Sequence, residues 1–355
     1  MNAENVIPAP RGVYGLCMAS VRELIIIYGD FHDFSGRVYD ELWSYNTLSQ
    51  IWRQYRPPIE AQNALIDPSI CVVGNSVYIF GGSSLHDSII TTNSLISFDV
   101  SSAKWQILSP STEYPHQTIP PTMYESLIFY HNEYLYLLGV FRSSLERDTM
   151  YKFSLKTSSW SLVTQNGKQP FLKHRIFGTV FKNQFYMFGC SSETNRFKTV
   201  YIFDFSTNTW TLRETSLKSQ QYPDDRTEES FAFSRGFGYL NGGKVQETSK
   251  NFSDIWKIDL VSLEWVKLDH ALKAGTSDHC TSVLNDSYLY RFGGKSQDSD
   301  CHNTLEKITI RPPTLFQLCL ESIKRSPKLR TYANYLPPVI LNDVNFDKND
   351  SSLDS

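Results

Sequence analysis

Short apolar runs recur along the chain and stop at glycine: Leu24-Ile25-Ile26-Ile27-Tyr28 before Gly29, Val77-Tyr78-Ile79-Phe80 before Gly81, Leu135-Tyr136-Leu137-Leu138 before Gly139. Runs of this length, bounded by turn residues, predict strands rather than helices. Their alternation fits inner strands buried between two layers. Glycine ends such a run because it takes a positive φ without strain. The pattern changes only after residue 311, where apolar positions adopt a helical spacing.

The runs belong to a longer repeat. Trp52, Trp105, Trp160, Trp210 and Trp265 are spaced by 53, 55, 50 and 55 residues. Seven residues before each stands Tyr45, Phe98, Phe153, Phe203 or Ile258, and nine before stands Trp43, Ile96, Tyr151, Tyr201 or Trp256. Each Trp follows a glycine-terminated run, and a sixth run ends at Phe292-Gly293-Gly294. A period near fifty with anchors in fixed order predicts a β-propeller. The Trp and the aromatic seven before it fall on two successive strands, where they can pack against the adjacent blade. Asp30, Val140 and Cys190 replace the second glycine in three copies, which predicts altered turns there.

These anchors resemble the kelch repeat over roughly residues 11–310 and imply an all-β, six-bladed kelch propeller. Aligning Ile308 with Ile258 places Leu315 where the sixth Trp would stand. The sixth blade therefore lacks its own outer strand, and Glu4 to Pro8 are expected to supply it and close the ring. The domain reading is a propeller over 1–311, a helical tail over 312–346 and a polar end over 347–355.

In the tail, Pro312-Pro313 stop the strand and Thr314 can cap a helix. Leu315, Leu318, Cys319 and Ile323 share one helical face. Leu336, Ile340 and Val344 recur at i, i+4 and i+8 behind Pro337 and Pro338. The tail resembles the box by which substrate receptors dock on Elongin C and a cullin. The resemblance implies Elongin C contacts at Thr314, Leu315, Cys319 and Ile323, and Cullin-2 contacts at Leu336, Pro337, Ile340 and Val344. Pro338 comes one place early for the Cullin-5 version, which favours Cullin-2. The competing reading is a helical hairpin packed under the propeller.

Together with Asp40-Glu-Leu-Trp-Ser-Tyr, Ser253-Asp-Ile-Trp-Lys-Ile-Asp-Leu and Glu264-Trp-Val-Lys-Leu, ring and tail resemble the kelch domain-containing protein 10 family. That resemblance implies a non-catalytic substrate receptor of a Cullin-2–Elongin B/C RING ubiquitin ligase, reading substrate C-termini. The alternative function is a structural kelch scaffold that binds actin or another protein.

Kelch receptors bind peptides around the starts of the inner strands. Arg11, Arg175 and Arg226 lie there at what reads as one repeat position, and a planar Arg fork suits a terminal carboxylate. Facing one axis they would form a basic pocket, with Tyr14, Tyr124 and His279 as weaker candidates for its walls. Such arginines also bridge blades in a purely structural role.

Composition narrows the rest. With 34 basic and 37 acidic residues the net charge is -3, which leaves no surplus to neutralise phosphates. Met1 to Pro10 lack the basic flank and apolar run of a signal peptide, and no apolar run is long enough to cross a bilayer. The six scattered Cys read as reduced thiols of a cytoplasmic or nuclear protein. Gly294-Lys295-Ser296 lacks the first glycine of a phosphate loop. His279-Cys280 and Cys301-His302 match no zinc spacing. No cofactor is expected.

Overall fold

The computed structural model describes residues 9–10, 15–32, 38–58, 67–84, 90–112, 118–141, 149–172, 175–189, 196–218, 221–245, 248, 250–296 and 304–325. Six antiparallel sheets follow one another along the chain as the blades of a propeller. Blade 1 runs Cys17–Val21, Leu24–His32, Val38–Asn46 and Ile51–Tyr55 in that order from the central channel outward. The glycine-terminated runs are thus second strands, and a further strand lies inside each of them.

Tight turns set the register. Asn132 and Glu133 in blade 3, and Lys182 and Asn183 in blade 4, all have positive φ between the first and second strands. Such turns match the right-handed twist of the hairpin they close. The glycine pair does not by itself set where the second strand ends, since blade 6 keeps Gly293-Gly294 yet its strand runs to Lys295, and blade 4, with Cys190 in the sequence, stops at Phe188. In blades 2 and 5, which keep Gly-Gly, the second strand stops at Phe80 and Asn241. In blades 1 and 3, which have Asp30 and Val140, it runs on to His32 and Phe141.

The aromatic anchors face one another. Tyr45 pairs with Trp52, Phe98 with Trp105, Phe153 with Trp160, Phe203 with Trp210 and Ile258 with Trp265 across the third and fourth strands. Each indole then reaches back to the preceding blade, where it meets the residue just before the glycine. Trp105 lies 6.3 Å from Tyr28, Trp160 lies 5.7 Å from Phe80, and Trp265 lies 6.3 Å from Phe188. Trp210 shares its core with Leu138. The period near fifty is therefore the spacing between successive blade-to-blade contacts. Each contact buries aromatic area that a single sheet could not hide.

Blades 4 and 5 gain a fifth strand. Asn166–Gly167 and Ser216–Leu217, which leave the preceding blade, add in parallel to the outer strand of the next. Blade 6 has three strands among the described residues: Ser277–Leu284, Tyr288–Lys295 and Leu305–Thr309. Residues 4–8, expected to add its outer strand, lie outside the described residues. On the inner strands, blade 6 meets blade 1 through the Ser20 hydroxyl, which donates to the Val283 carbonyl at 2.7 Å. The Asn285 amide reaches both Glu23 oxygens at 3.1 and 3.2 Å.

The helix Leu315–Arg325 follows blade 6 directly. Thr314 and Gln317 form a reciprocal cap. The Gln317 N–H donates to Thr314 Oγ1 at 3.3 Å, and the Thr314 N–H to Gln317 Oε1 at 2.8 Å.

Candidate functional site

The first strands of all six blades line a central channel of about 480 Å³. Most of its wall is apolar or carries hydroxyls and thiols, and among the described residues Arg175 is the charged side chain within it. Arg175 is partly buried, with its guanidinium 5.7 Å from the Phe177 ring centroid. Among the described residues it makes no ion pair.

The hairpin turns give an unambiguous count for the chain around the mouth. Six residues before the last residue of each first strand stand Gly15, Asp67, Glu125, Arg175, Glu228 and Asp278. All but Arg175 adopt positive φ, from 52 to 70°. This corrects the expectation of three arginines at one repeat position. By the same count Arg226 stands eight residues, and Arg11 ten, before the end of its strand. The repeated position holds four carboxylates, one glycine and a single Arg, so the described residues there do not form a basic pocket.

Arg226 belongs to the interior of blade 5. It is 2 % exposed and pairs with Asp254 at 2.6 Å. It donates to the Gly242 carbonyl at 3.1 Å, and its guanidinium covers the Phe252 ring at 3.9 Å. Burial alone would raise the Asp254 carboxyl, but the hydrogen bonds and charge of Arg226 hold it below its ordinary range. Arg226 therefore bridges strands and offers nothing to a ligand. His279 is also 2 % exposed, with Nε2 2.8 Å from Asn241 Oδ1. Burial, helped by the charges of Arg291 and Arg175, pushes it down to about 3, so the ring is neutral at physiological pH. It packs between blades rather than forming a pocket wall. The backbone of Tyr124 lies in the first strand of blade 3, and its side chain is outside the described set, as are Arg11 and Tyr14.

Sequence reasoning missed the carboxylates, which it could have found by counting back from the hairpin turns. Those of blades 5 and 6 are neutralised: Lys244 pairs with Glu228 at 2.6 Å, Arg196 with Glu229 at 2.6 Å and Lys295 with Asp278 at 3.3 Å. Asp67 and Glu125 have no such partner among the described residues. Burial raises both carboxyls, Arg175 pulls each back in part, and Asp67 raises Glu125 further. For Arg175, burial opposes the charge, but Asp67, Asp278, Glu125 and Glu229 outweigh it and raise its pKa. The mouth thus has a neutralised half at blades 5 and 6. At blades 2 to 4 it holds charges of both signs without close ion-pair partners among the described residues.

The second candidate surface is the helix. Leu320 is buried against the ring, Gln317 Nε2 donates to the Asn285 carbonyl at 2.9 Å, and Lys307 pairs with Glu321 at 3.2 Å. These contacts fix one face to blade 6. On the other side Leu315 is 77 % exposed, with Phe316, Leu318 and Cys319 exposed around it. Thr314 caps the helix from an exposed position and Ile323 is partly buried. Leu336, Pro337, Ile340 and Val344 lie outside the described residues.

The KLHDC2/KLHL20/DRC7 Kelch-repeats domain matches residues 1–190 and 174–314. Kelch domain-containing protein 10 of Homo sapiens is 22 % identical over 335 residues, covering 89 % of this chain and 74 % of its own length. The kelch domain-containing protein 10 homolog of Drosophila melanogaster is 22 % identical, covering 81 % of this chain and 51 % of its own. Kelch domain-containing protein 3 of Rattus norvegicus is 22 % identical, covering 71 % and 69 %.

Proposed function

Because the chain belongs to the KLHDC2/KLHL20/DRC7 kelch-repeat family, we propose that it is the substrate-recognition subunit of a Cullin-2–Elongin B/C ubiquitin ligase, with no chemistry of its own. Elongin C docks on the outward face of the helix Leu315–Arg325. Substrate C-termini enter the channel mouth and meet Arg175.

The observation that carries this reading is the division of the helix into two faces. An apolar side chain as exposed as Leu315 gains nothing from folding, and clustered exposed apolar residues mark interaction surfaces. A helix laid into a hydrophobic groove of a partner uses side chains at this spacing. The opposite face is clamped through Leu320, Gln317 and Glu321, so the docking face is held at a fixed angle to the channel. A tail that served only to stabilise the ring would turn Leu315 and Leu318 inward. At the mouth, Arg175 is a planar donor without a protein partner among the described residues, suited to a paired interaction with a terminal carboxylate.

Purification of the full chain from cell extract, wild type against Leu315→Ala/Cys319→Ala, tests the reading. Elongin B/C and Cullin-2 are expected with the wild type and not with the variant. Retention of both by the variant refutes the docking face. Co-sedimentation with actin filaments without Elongin would favour the scaffold alternative.

A further inference from the structure

We propose that the channel mouth selects peptide ends carrying a positive charge close to the terminal carboxylate, with Arg175 taking the carboxylate and Asp67 and Glu125 taking the cation. The inference rests on the receptor reading above and adds the class of substrate.

Asp67, Glu125 and Arg175 occupy the same repeat position in three consecutive blades. They therefore stand side by side on the rim of one channel, and their charges reach one another. The equivalent carboxylates Glu228 and Asp278 each have a lysine of their own at 2.6 and 3.3 Å. Glu229 has Arg196 at 2.6 Å. Blades 2 and 3 provide no such lysine among the described residues. Both Asp67 and Glu125 are partly buried, and burial already strains them toward the neutral form. A ligand cation relieves that cost, and the gain is larger where water is partly excluded.

The backbone adds a second argument. Asp67 and Glu125 hold φ of 54 and 52°, a region that most residues leave to glycine. Gly15 occupies it in blade 1. A side chain kept there points a charge where a glycine would have sufficed for the turn. For a peptide that brings only a carboxylate, the two acids are repulsive and cancel much of what Arg175 offers. For a peptide with a nearby Lys or Arg, all three groups act in one direction. The arrangement thus rejects acidic and neutral ends as well as attracting basic ones.

The test uses the full chain and two synthetic decapeptide libraries randomised over the last five positions, one ending in a free acid and one in an amide. Retained peptides are sequenced by mass spectrometry. The variants are Asp67→Asn/Glu125→Gln and Arg175→Gln; Asn tolerates positive φ, and a thermal melt checks that each variant folds. From the acid library the wild type is expected to enrich Lys and Arg in the last four positions about fivefold, on the scale of a partly screened ion pair. The double acid variant should lose that enrichment while still preferring acid to amide. Arg175→Gln should lose the preference for acid over amide. Equal retention of Lys, neutral and Glu peptides by the wild type overturns the proposal, as does a basic preference that survives in the acid variant. Retention of neither library overturns it too. Equal retention of acid and amide by the wild type refutes terminal-carboxylate recognition separately.

Discussion

The rings of Trp52 and Phe292 lie 5.8 Å apart, tilted by 59°, and join the first blade to the sixth. This is the blade-to-blade contact that recurs as Trp105–Tyr28 and Trp160–Phe80, here made between opposite ends of the propeller. Around it Leu16, Ile25, Ile27, Trp43, Cys280 and Tyr290 form one shared core. The ring closes through this contact and the Ser20 and Asn285 hydrogen bonds.

A double-mutant cycle measures what that closure contributes. Trp52 is partly buried, so Trp52→Ala should cost about 2–3 kcal/mol and Phe292→Ala, fully buried, about 3–4 kcal/mol. The coupling read from urea unfolding of the single and double variants should be about 1 kcal/mol, the scale of a direct aromatic pair. Strict additivity would show that the two rings do not communicate and that the seam is held elsewhere.

The helix separates stability from docking. Leu315 and Cys319 are exposed, so replacing both with alanine should change unfolding free energy by less than about 0.5 kcal/mol. Leu320→Ala should cost about 2 kcal/mol or more, because Leu320 is 2 % exposed and its loss leaves a cavity against the ring. Melting curves of the two variants check the contrast. A large loss from Leu315→Ala/Cys319→Ala would mean that those side chains serve the fold.

The two described arginines should behave in opposite ways. Arg226→Ala removes the nearest ion-pair partner of the mostly buried Asp254 and leaves it only Lys267 at 3.6 Å and the Trp256 indole at 2.8 Å, so the change should cost about 3 kcal/mol. Arg175→Ala breaks no close ion pair among the described residues and loses only longer-range attraction to Asp67, Glu125, Asp278 and Glu229 against its own desolvation, so its effect on stability should stay within about 1 kcal/mol. Unfolding in guanidinium distinguishes them. Comparable losses for both would place Arg175 in a structural network after all.

What the sequence made legible was whatever depends on local spacing. The five Trp and their partners seven residues before marked five blades and the pairing of their outer strands, because both residues sit on one hairpin of constant length, and Phe292-Gly293-Gly294 marked the sixth. The helix start at Thr314 was legible for the same reason. The mouth was not. Arg175 and Arg226 look equivalent when each is measured loosely from the start of its apolar run, yet they stand two positions apart when counted from the turn. That shift carries Arg226 to Asp254 and leaves Arg175 on the channel. The neutralising lysines Lys244 and Lys295 each follow the Gly-Gly pair of their own blade and were legible once the carboxylates were placed, whereas Arg196 reaches Glu229 from the preceding blade, 33 residues away along the chain.

His279 gives the protein a defined response to acid. In the folded state its pKa is pushed down to about 3, from an ordinary value of 6.5. Between those values the unfolded chain binds a proton that the folded one refuses, so stability falls as pH drops below about 6.5. At pH 5 this one residue should account for about 2 kcal/mol of lost stability relative to pH 7. Asp67, Glu125 and Glu229 act with the opposite sign, since their raised carboxyls take up protons in the folded state first. Comparing the wild type with His279→Gln isolates the imidazole, because those carboxylates remain in both, and the Gln amide can still donate to Asn241. Urea unfolding at pH 7 and pH 5 should show the variant losing less stability on acidification than the wild type by about 2 kcal/mol. Equal losses in the two proteins would mean that the folded state accepts the proton on His279, and that the ring is less enclosed than its contacts with Asn241 and the neighbouring blade imply.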